Sequence, residues 1–201
     1  SKGFLDPAKG RKNLHVLTQA QVKKLKIENG RATGFIIQLN DEDAVIYASK
    51  EVILAAGAIG SPQLLQLSGI GPAPLLREYG IEVIRDLPGV GENLQDHLQV
   101  RCAYKVHGVQ TLNERANSLI GKFAMALEYA AFRSGPMSMA PSQLGAFAKS
   151  DPELETPNLQ YHVQPLTLDK FGEPLHPFPA FTASVSNLRP ESRGYVRIKS
   201  Q

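Results

Sequence analysis

The sequence predicts a mixed α/β fold in two parts. The first part is built on an antiparallel β-meander and a strand–turn–helix unit. The second carries an antiparallel or mixed sheet and one long helix. Three observations lead there. Short alternating segments broken by Asn-Gly and Asn-Asp pairs fill residues 20–48. An uninterrupted apolar run, Val52–Ala56, is followed by glycines and a helix-start signal. A long helical pattern at 114–133 precedes several spaced strand patterns, as in an α+β lobe.

Taken in order, Asn13–Thr18 reads as a short strand. Val22, Leu25 and Ile27 stand among Lys23, Lys24, Lys26 and Glu28, and Asn29-Gly30 marks a tight turn because both residues tolerate positive φ. Phe35–Leu39 returns, Asn40–Asp43 is a polar turn, and Ala44–Ala48 completes the meander. Glu51–Gly57 reads as a strand buried on both faces of a parallel sheet. Gly57–Gly60 is then a turn, with Ser61 as N-cap and Pro62 at the first helical position of the next helix. Leu64, Leu65 and Leu67 form its apolar face, and Gly69 ends it. Pro74 opens a second helix stopped by Gly80, and Ile81–Ile84 is a short strand. Leu87–Gly91 is a crossing loop, which divides the chain into domains 1–90 and 91–201.

Gln99–Val106 alternates, with Val100, Cys102, Tyr104 and Val106 on one face. Glu114–Arg133 is the long helix, with an apolar stripe of Leu119, Phe123, Ala126, Leu127 and Ala130. Leu144–Lys149, Asn158–Gln164, Ala180–Leu188 and Tyr195–Ile198 are the strands that follow.

Composition removes whole classes. With 201 residues, 42% hydrophobic and 20% charged, the chain can bury a core and is not disordered. No apolar run nears the roughly 20 residues of a membrane helix, and the first residues show no apolar leader. A net charge of +3 is nearly balanced, and the lysine clusters lack interleaved aromatics, so no nucleic-acid partner is expected. Cys102 is the single cysteine and reads as a buried, inert thiol. These features place the protein in the cytoplasm, with a peripheral position at the inner face of the membrane as the alternative. His15, His107, His162 and His176 read as strand or turn residues, and no spacing fits a metal site. No Gly-x-Ser-x-Gly elbow is present, which argues against a hydrolase.

Chemistry concentrates at the strand, glycine turn and helix of Val52–Ser68. A helix N-terminus offers free N–H groups and partial positive charge to a phosphate, and glycine lets a ligand approach the backbone. The whole run Gly57-Ala58-Ile59-Gly60-Ser61-Pro62-Gln63-Leu64-Leu65-Gln66-Leu67-Ser68-Gly69-Ile70-Gly71 resembles the second signature of the glucose–methanol–choline (GMC) flavoprotein oxidoreductases. Leu87-Pro88-Gly89-Val90-Gly91-Glu92-Asn93-Leu94-Gln95-Asp96-His97 is also similar to that family. So are Arg11–Leu14, Asn158–His162 and Arg189–Gly194, in the family's order and over almost the whole chain. The choline dehydrogenase and related alcohol dehydrogenase branch is the most similar.

The resemblance implies FAD as cofactor, a small alcohol as substrate, and oxidation by hydride transfer to flavin N5. The electron acceptor, oxygen or a quinone, stays open. It implies a partial FAD-binding domain at 1–90 and a partial substrate-binding domain at 91–201. Val22 matches the position whose backbone meets the adenine. Ala56, Gly57 and Ala58 match the turn near the ADP half, and Asn93, Asp96 and His97 a segment close to the cofactor. His97 is the histidine within a family motif, with a structural hydrogen-bonding role as its alternative.

Two family parts are not found in the sequence. No Gly-x-Gly-x-x-Gly pyrophosphate loop occurs: Gly69-Ile70-Gly71-Pro72-Ala73-Pro74 begins like one, but has Pro74 at the last glycine. The family's catalytic histidine falls past the strand resembling Gly194–Ser200. The expectation is therefore an internal piece of a longer enzyme, with no catalytic residue of its own and no tight FAD binding alone. Gln143 stands where choline-oxidising relatives usually carry glutamate, so a primary alcohol of open identity is expected. The alternatives are a catalytically inactive binding or interaction module, and a disulfide-reductase-like flavoprotein that the lack of a Cys-x-x-Cys pair disfavours. Apolar surface left uncovered is expected to drive self-association.

Overall fold

The computed structural model describes residues 2–140, 142–170 and 172–201. A short helix, α1 (Leu5–Ala8), leads into irregular chain. The strand expected at Asn13–Thr18 does not form, because no ladder partner meets it among the described residues. The meander follows as β1 (Ala20–Glu28), β2 (Arg31–Leu39) and β3 (Glu42–Tyr47), antiparallel and in sequence order. Both turns have two residues at positive φ, Asn29 and Gly30 at 51° and 75° and Asn40 and Asp41 at 51° and 65°. That handedness matches the twist of the strands it joins. Val22 pairs with Ile37 and Lys24 with Ile36, so Lys23 is an extra residue and β1 is bulged there.

Residues 51–56 are not the buried strand expected of them. They pair with no strand among the described residues, and Ile53 is 77% exposed. An apolar run specifies burial on both faces only where neighbouring strands flank it. Helix α2 (Gly57–Leu67) begins earlier than the Ser-Pro signal indicated, with Ala56 as its N-cap residue. Ser61 instead turns its hydroxyl back to accept the Ala56 N–H at 3.0 Å. Pro62 lies in the second turn and forgoes a bond to the Ala58 carbonyl.

β4 (Ile70–Gly71) pairs in parallel with β5 (Arg85–Asp86). The expected strand Ile81–Ile84 is irregular, and the pairing falls on the two residues after it. The register there is held by the Gly69 carbonyl, which accepts from Ile84 and Arg85 N–H at 2.9 and 3.0 Å. Asp86 Oδ1 then accepts the Ala73 N–H at 3.0 Å at the start of α3 (Ala73–Glu78). β6 (Glu92–Leu94) pairs antiparallel with a strand from the far end of the chain, Gly194–Tyr195.

Gln66, with none of its surface exposed, holds this unit together. Its Nε2 donates to the carbonyls of Val90 at 3.2 Å and Val196 at 2.9 Å, and its Oε1 accepts the Ile198 N–H at 3.0 Å. Gly91 is required beside it: at φ 86°, a Cβ there would lie 2.2 Å from the Val196 carbonyl oxygen. Leu25, Ile37, Leu64, Leu76 and Ile198 complete the buried core.

The chain divides into two units, Ser1–Leu94 with Arg193–Gln201, and Gln95–Ser192. The division lies after Leu94 and not after Val90. The last stretch, placed with the second domain on sequence grounds, belongs to the first unit because β6 and Gln66 recruit it.

In the second unit β7 (Gln99–Lys105), β8 (Leu144–Ala148), β9 (Leu159–Gln164) and β10 (Ala180–Asn187) form an antiparallel sheet in the order β7-β10-β9-β8. The last pair, Gly194–Tyr195, is β11 and belongs with β6. The single long helix of the sequence pattern is two, α4 (Leu112–Asn117) and α5 (Leu119–Phe132). The break falls at Ser118, which is extended (φ −88°, ψ 135°), and Gly121 permits the close approach there, since a Cβ on it would meet the Arg115 carbonyl oxygen at 2.1 Å. Ser118 opens the new helix by accepting the Gly121 N–H at 3.4 Å. The apolar stripe of α5 faces solvent, with Leu119, Phe123 and Leu127 at 83%, 70% and 58% exposure, while Met125 is buried. Cys102 is exposed, not buried: it sits on β7, where every residue but Arg101 is exposed.

Fully buried Asn113 clamps the irregular chain between β9 and β10. Its Nδ2 donates to Thr167 Oγ1 at 2.8 Å and to the His176 carbonyl at 3.1 Å, and its Oδ1 accepts the Thr167 N–H at 2.8 Å. His176 is held rather than solvated: Nδ1 lies 2.9 Å from Thr167 Oγ1 and Nε2 3.1 Å from Asp169 Oδ1.

Candidate functional site

β1 is the edge of its sheet, so one side of its backbone faces away from β2. Helix α2 packs along that side. Between them lies a cleft of about 1200 Å³, lined by the whole of Ala20–Ile27 and by Ala56, Gly60, Gln63, Leu64, Leu67 and Ser68. Gly80–Glu82 and Ile84 close the far wall. Leu25 and Leu64 are buried and give an apolar floor. The strand edge supplies backbone donors and acceptors, and a helix N-terminus stands at one end, where the first-turn N–H groups have no helical acceptor.

One hydroxyl joins the two walls. Ser68 Oγ accepts the Leu25 N–H at 2.7 Å and donates to the Leu64 carbonyl at 2.5 Å. Upstream, the Val22 carbonyl accepts Gln21 Nε2 at 3.2 Å. The cleft is lined by three lysines, Lys23, Lys24 and Lys26, and two carboxylates, Asp43 and Glu82. Lys23 pairs with Asp43 at 2.8 Å, Lys26 pairs with Glu28, and Lys24 has no ion-pair partner among the described residues. The Lys26 bond to Glu28 holds the ammonium above its usual range and the Glu28 carboxyl below its own.

The sequence-derived site residues fall in three places. Val22 and Ala56 both line the cleft, on opposite walls. Gly57 and Ala58 are the first residues of α2, both exposed, and a Cβ at Gly57 would meet nothing within 4 Å. Asn93 is the exposed middle residue of β6, at φ 65°. Asp96 and His97 are exposed and belong to the second unit. Sequence reasoning did not single out Ser68, Gln63 or the bulge at Lys23. Ser68 was visible only as a helix-end residue, since its partner Leu25 is 43 residues away. Among the described residues no cluster of His, Cys, Asp and Glu could hold a metal ion, and no helix is long and apolar enough to cross a membrane.

Over its full length the chain is 38% identical to the oxygen-dependent choline dehydrogenase of Pectobacterium carotovorum subsp. carotovorum, covering 36% of that protein. A family model described as GMC oxidoreductase matches residues 1–99. The chain belongs to the GMC oxidoreductases. A second choline dehydrogenase of the oxygen-dependent type, from Photobacterium profundum, is 40% identical over all of this chain and 35% of its own length. The chain thus spans little more than a third of these GMC relatives. A formate oxidase of Aspergillus oryzae RIB40 superposes with a TM-score of 0.85 over 96% of this chain and 39% of its own, at 24% identity. That likeness shows that the two chains share their mixed α/β fold.

Proposed function

We propose that this chain is part of an FAD-dependent alcohol dehydrogenase and that its cleft takes the adenosine diphosphate half of the cofactor. One observation carries the reading: Val22 and Ala56, far apart in sequence, line opposite walls of one cleft of about 1200 Å³. The residues fit such a group. An apolar floor suits a planar heterocycle, a strand edge suits its donor and acceptor atoms, and Lys24, the lining lysine without an ion pair among the described residues, suits phosphate. The open approach at Gly57 lets a ligand reach the N-terminus of α2.

In this reading the Val22 backbone meets the adenine, and Ala56, Gly57 and Ala58 border the ADP half. Asn93, Asp96 and His97 are proposed as further cofactor-bordering residues. A bound FAD would supply the two-electron acceptor chemistry for oxidation of a primary alcohol to the aldehyde. This chain's own residues bind and orient, and the proton acceptor is assigned to none of them. The first unit is proposed as FAD-binding and the second as substrate-binding. Gln143 is neutral, so that position gives a quaternary ammonium substrate no carboxylate partner.

The test is titration of the 15N-labelled chain with ADP and with FAD. ADP shifts amide signals in residues 20–27 and 56–69 and leaves the second unit's sheet unchanged. An unchanged spectrum at millimolar ADP overturns the reading. FAD binds weakly, since no pyrophosphate loop is present, and a flavin-coloured preparation of the chain would contradict that. The exposed face of α5 favours a second reading, a catalytically inactive interaction module that associates through Leu119, Phe123 and Leu127.

A further inference from the structure

We propose that Ser68 is a positioning residue for the cleft: its hydroxyl sets the strand that carries Val22 against the helix that begins after Ala56. The inference rests on the reading of the cleft as a nucleotide site. Ser68 is 5% exposed, and its side chain has no freedom left. A hydroxyl has one proton to give; here it goes to the Leu64 carbonyl at 2.5 Å, while a lone pair takes the Leu25 N–H at 2.7 Å. Both bonds are buried.

The geometry makes this bond a fulcrum. β1 has a strand on one side only, so its open edge is held laterally by α2. Between Leu25 and Val22 lies the bulge at Lys23, where the ladder register slips. Bulges bend a strand and interrupt its pairing. The segment 20–24 is therefore tied to β2 across an irregular ladder, and Leu25 is where its outer edge is pinned to the helix. Without the hydroxyl, the Leu25 N–H faces a methyl group, and the two walls lose the bond that spaces them. On the helix that Ser68 ends, the floor residue Leu64 lies one turn back and the lining residue Leu67 immediately precedes it. A change at Ser68 thus reaches the ligand through β1 and not by touching it.

The test compares Ser68→Ala, Ser68→Thr and the parent chain by ADP titration, read from amide shifts at Val22 and Leu25, with thermal melts in parallel. Ser68→Ala weakens ADP at least fivefold and moves the Val22 amide signal before any ligand is added. Ser68→Thr, which keeps the hydroxyl, stays within twofold of the parent. If Ser68→Ala melts lower but binds ADP like the parent, the residue is structural only and the proposal is overturned. Equal loss in Ser68→Thr overturns it too. Should Ser68→Ala not fold, Ser68→Cys must weaken ADP, because sulfur accepts the Leu25 N–H poorly, and unchanged affinity there ends the proposal. A parent chain that does not bind ADP at all fails the underlying reading, and this inference with it. A parent that binds while Ser68→Ala binds equally well fails this inference alone.

Discussion

A single buried amide does the work of a small core at the foot of α2. Gln66 satisfies two carbonyls and one N–H from segments 24 and more than 100 residues away. Leucine at that position fills similar volume but leaves all three groups unpaired. A fully buried orphan such as the Ile198 N–H costs about 1–3 kcal/mol, and the two carbonyls, whose bonds are only part-buried, cost less. Gln66→Leu is therefore expected to lower unfolding free energy by roughly 2–4 kcal/mol, within the range of severe single substitutions, as read by urea denaturation. The Lys26–Glu28 pair is a contrasting case, because water reaches both groups. The lowered Glu28 pKa adds stability above the usual carboxylate range, lost as pH falls through the lowered value. The raised Lys26 pKa adds stability below the usual ammonium range, lost as pH rises through the raised value. Glu28→Gln should shift the melting midpoint slightly at neutral pH and not at all in strong acid; an equal shift at both rejects the assignment. Gln66 in a leucine-rich run gives no sign in sequence of what it bonds. The Lys-rich strand announced its own polarity, and only the pairing with Glu28 and Asp43 needed the fold.

Helices show where local signals mislead. Ser61-Pro62 has the chemistry of a helix start, yet the helix was already under way at Gly57. Ser61 is not the cap: it lies inside the helix and accepts the Ala56 N–H, while Ala56 at the N-cap position makes no side-chain cap bond. Turns were legible because their signal is self-contained: Asn29-Gly30 needs nothing beyond two residues that accept positive φ. The break between α4 and α5 depends on a meeting of backbone with backbone and left only a glycine as its trace. It makes a sharp prediction. Glycine to alanine in a helix interior normally stabilises by about 0.5–1 kcal/mol. At Gly121 the new methyl would sit 2.1 Å from the Arg115 oxygen. Gly121→Ala should therefore destabilise, by about 1–3 kcal/mol as for other overpacked sites. A higher melting temperature for that variant would show that α4 and α5 run straight.

For the whole molecule, the uncovered apolar residues matter most. Leu119, Ile120, Phe123, Leu127 and Phe132 are each more than half exposed on one helix. The periodicity of this helix was plain in the sequence; which face would be covered was not, because that depends on chain brought from elsewhere. The double variant Phe123→Ser, Leu127→Ser is expected to reduce self-association of the chain in light scattering. A parent chain that is already monodisperse and monomeric would reject the expectation. The crossing loop Leu87–Gly91 suggested a division, and the two units part a little later, after Leu94. The return of the last residues to the first unit was not legible, since it rests on Gln66 and on a short ladder between distant strands.

That ladder sets Leu94 directly opposite Gly194. Residues facing each other in an antiparallel pair have Cα atoms about 4.5–5.5 Å apart. The chain therefore leaves the first unit and re-enters it through a doorway scarcely wider than one residue. In topological terms, Gln95–Ser192 is a guest inserted into a host. A two- or three-residue glycine linker from Leu94 to Gly194 could close the host without strain. Such a miniature should fold, keep β1, α2 and Gln66 in place, and give amide spectra of residues 20–94 that overlay those of the parent.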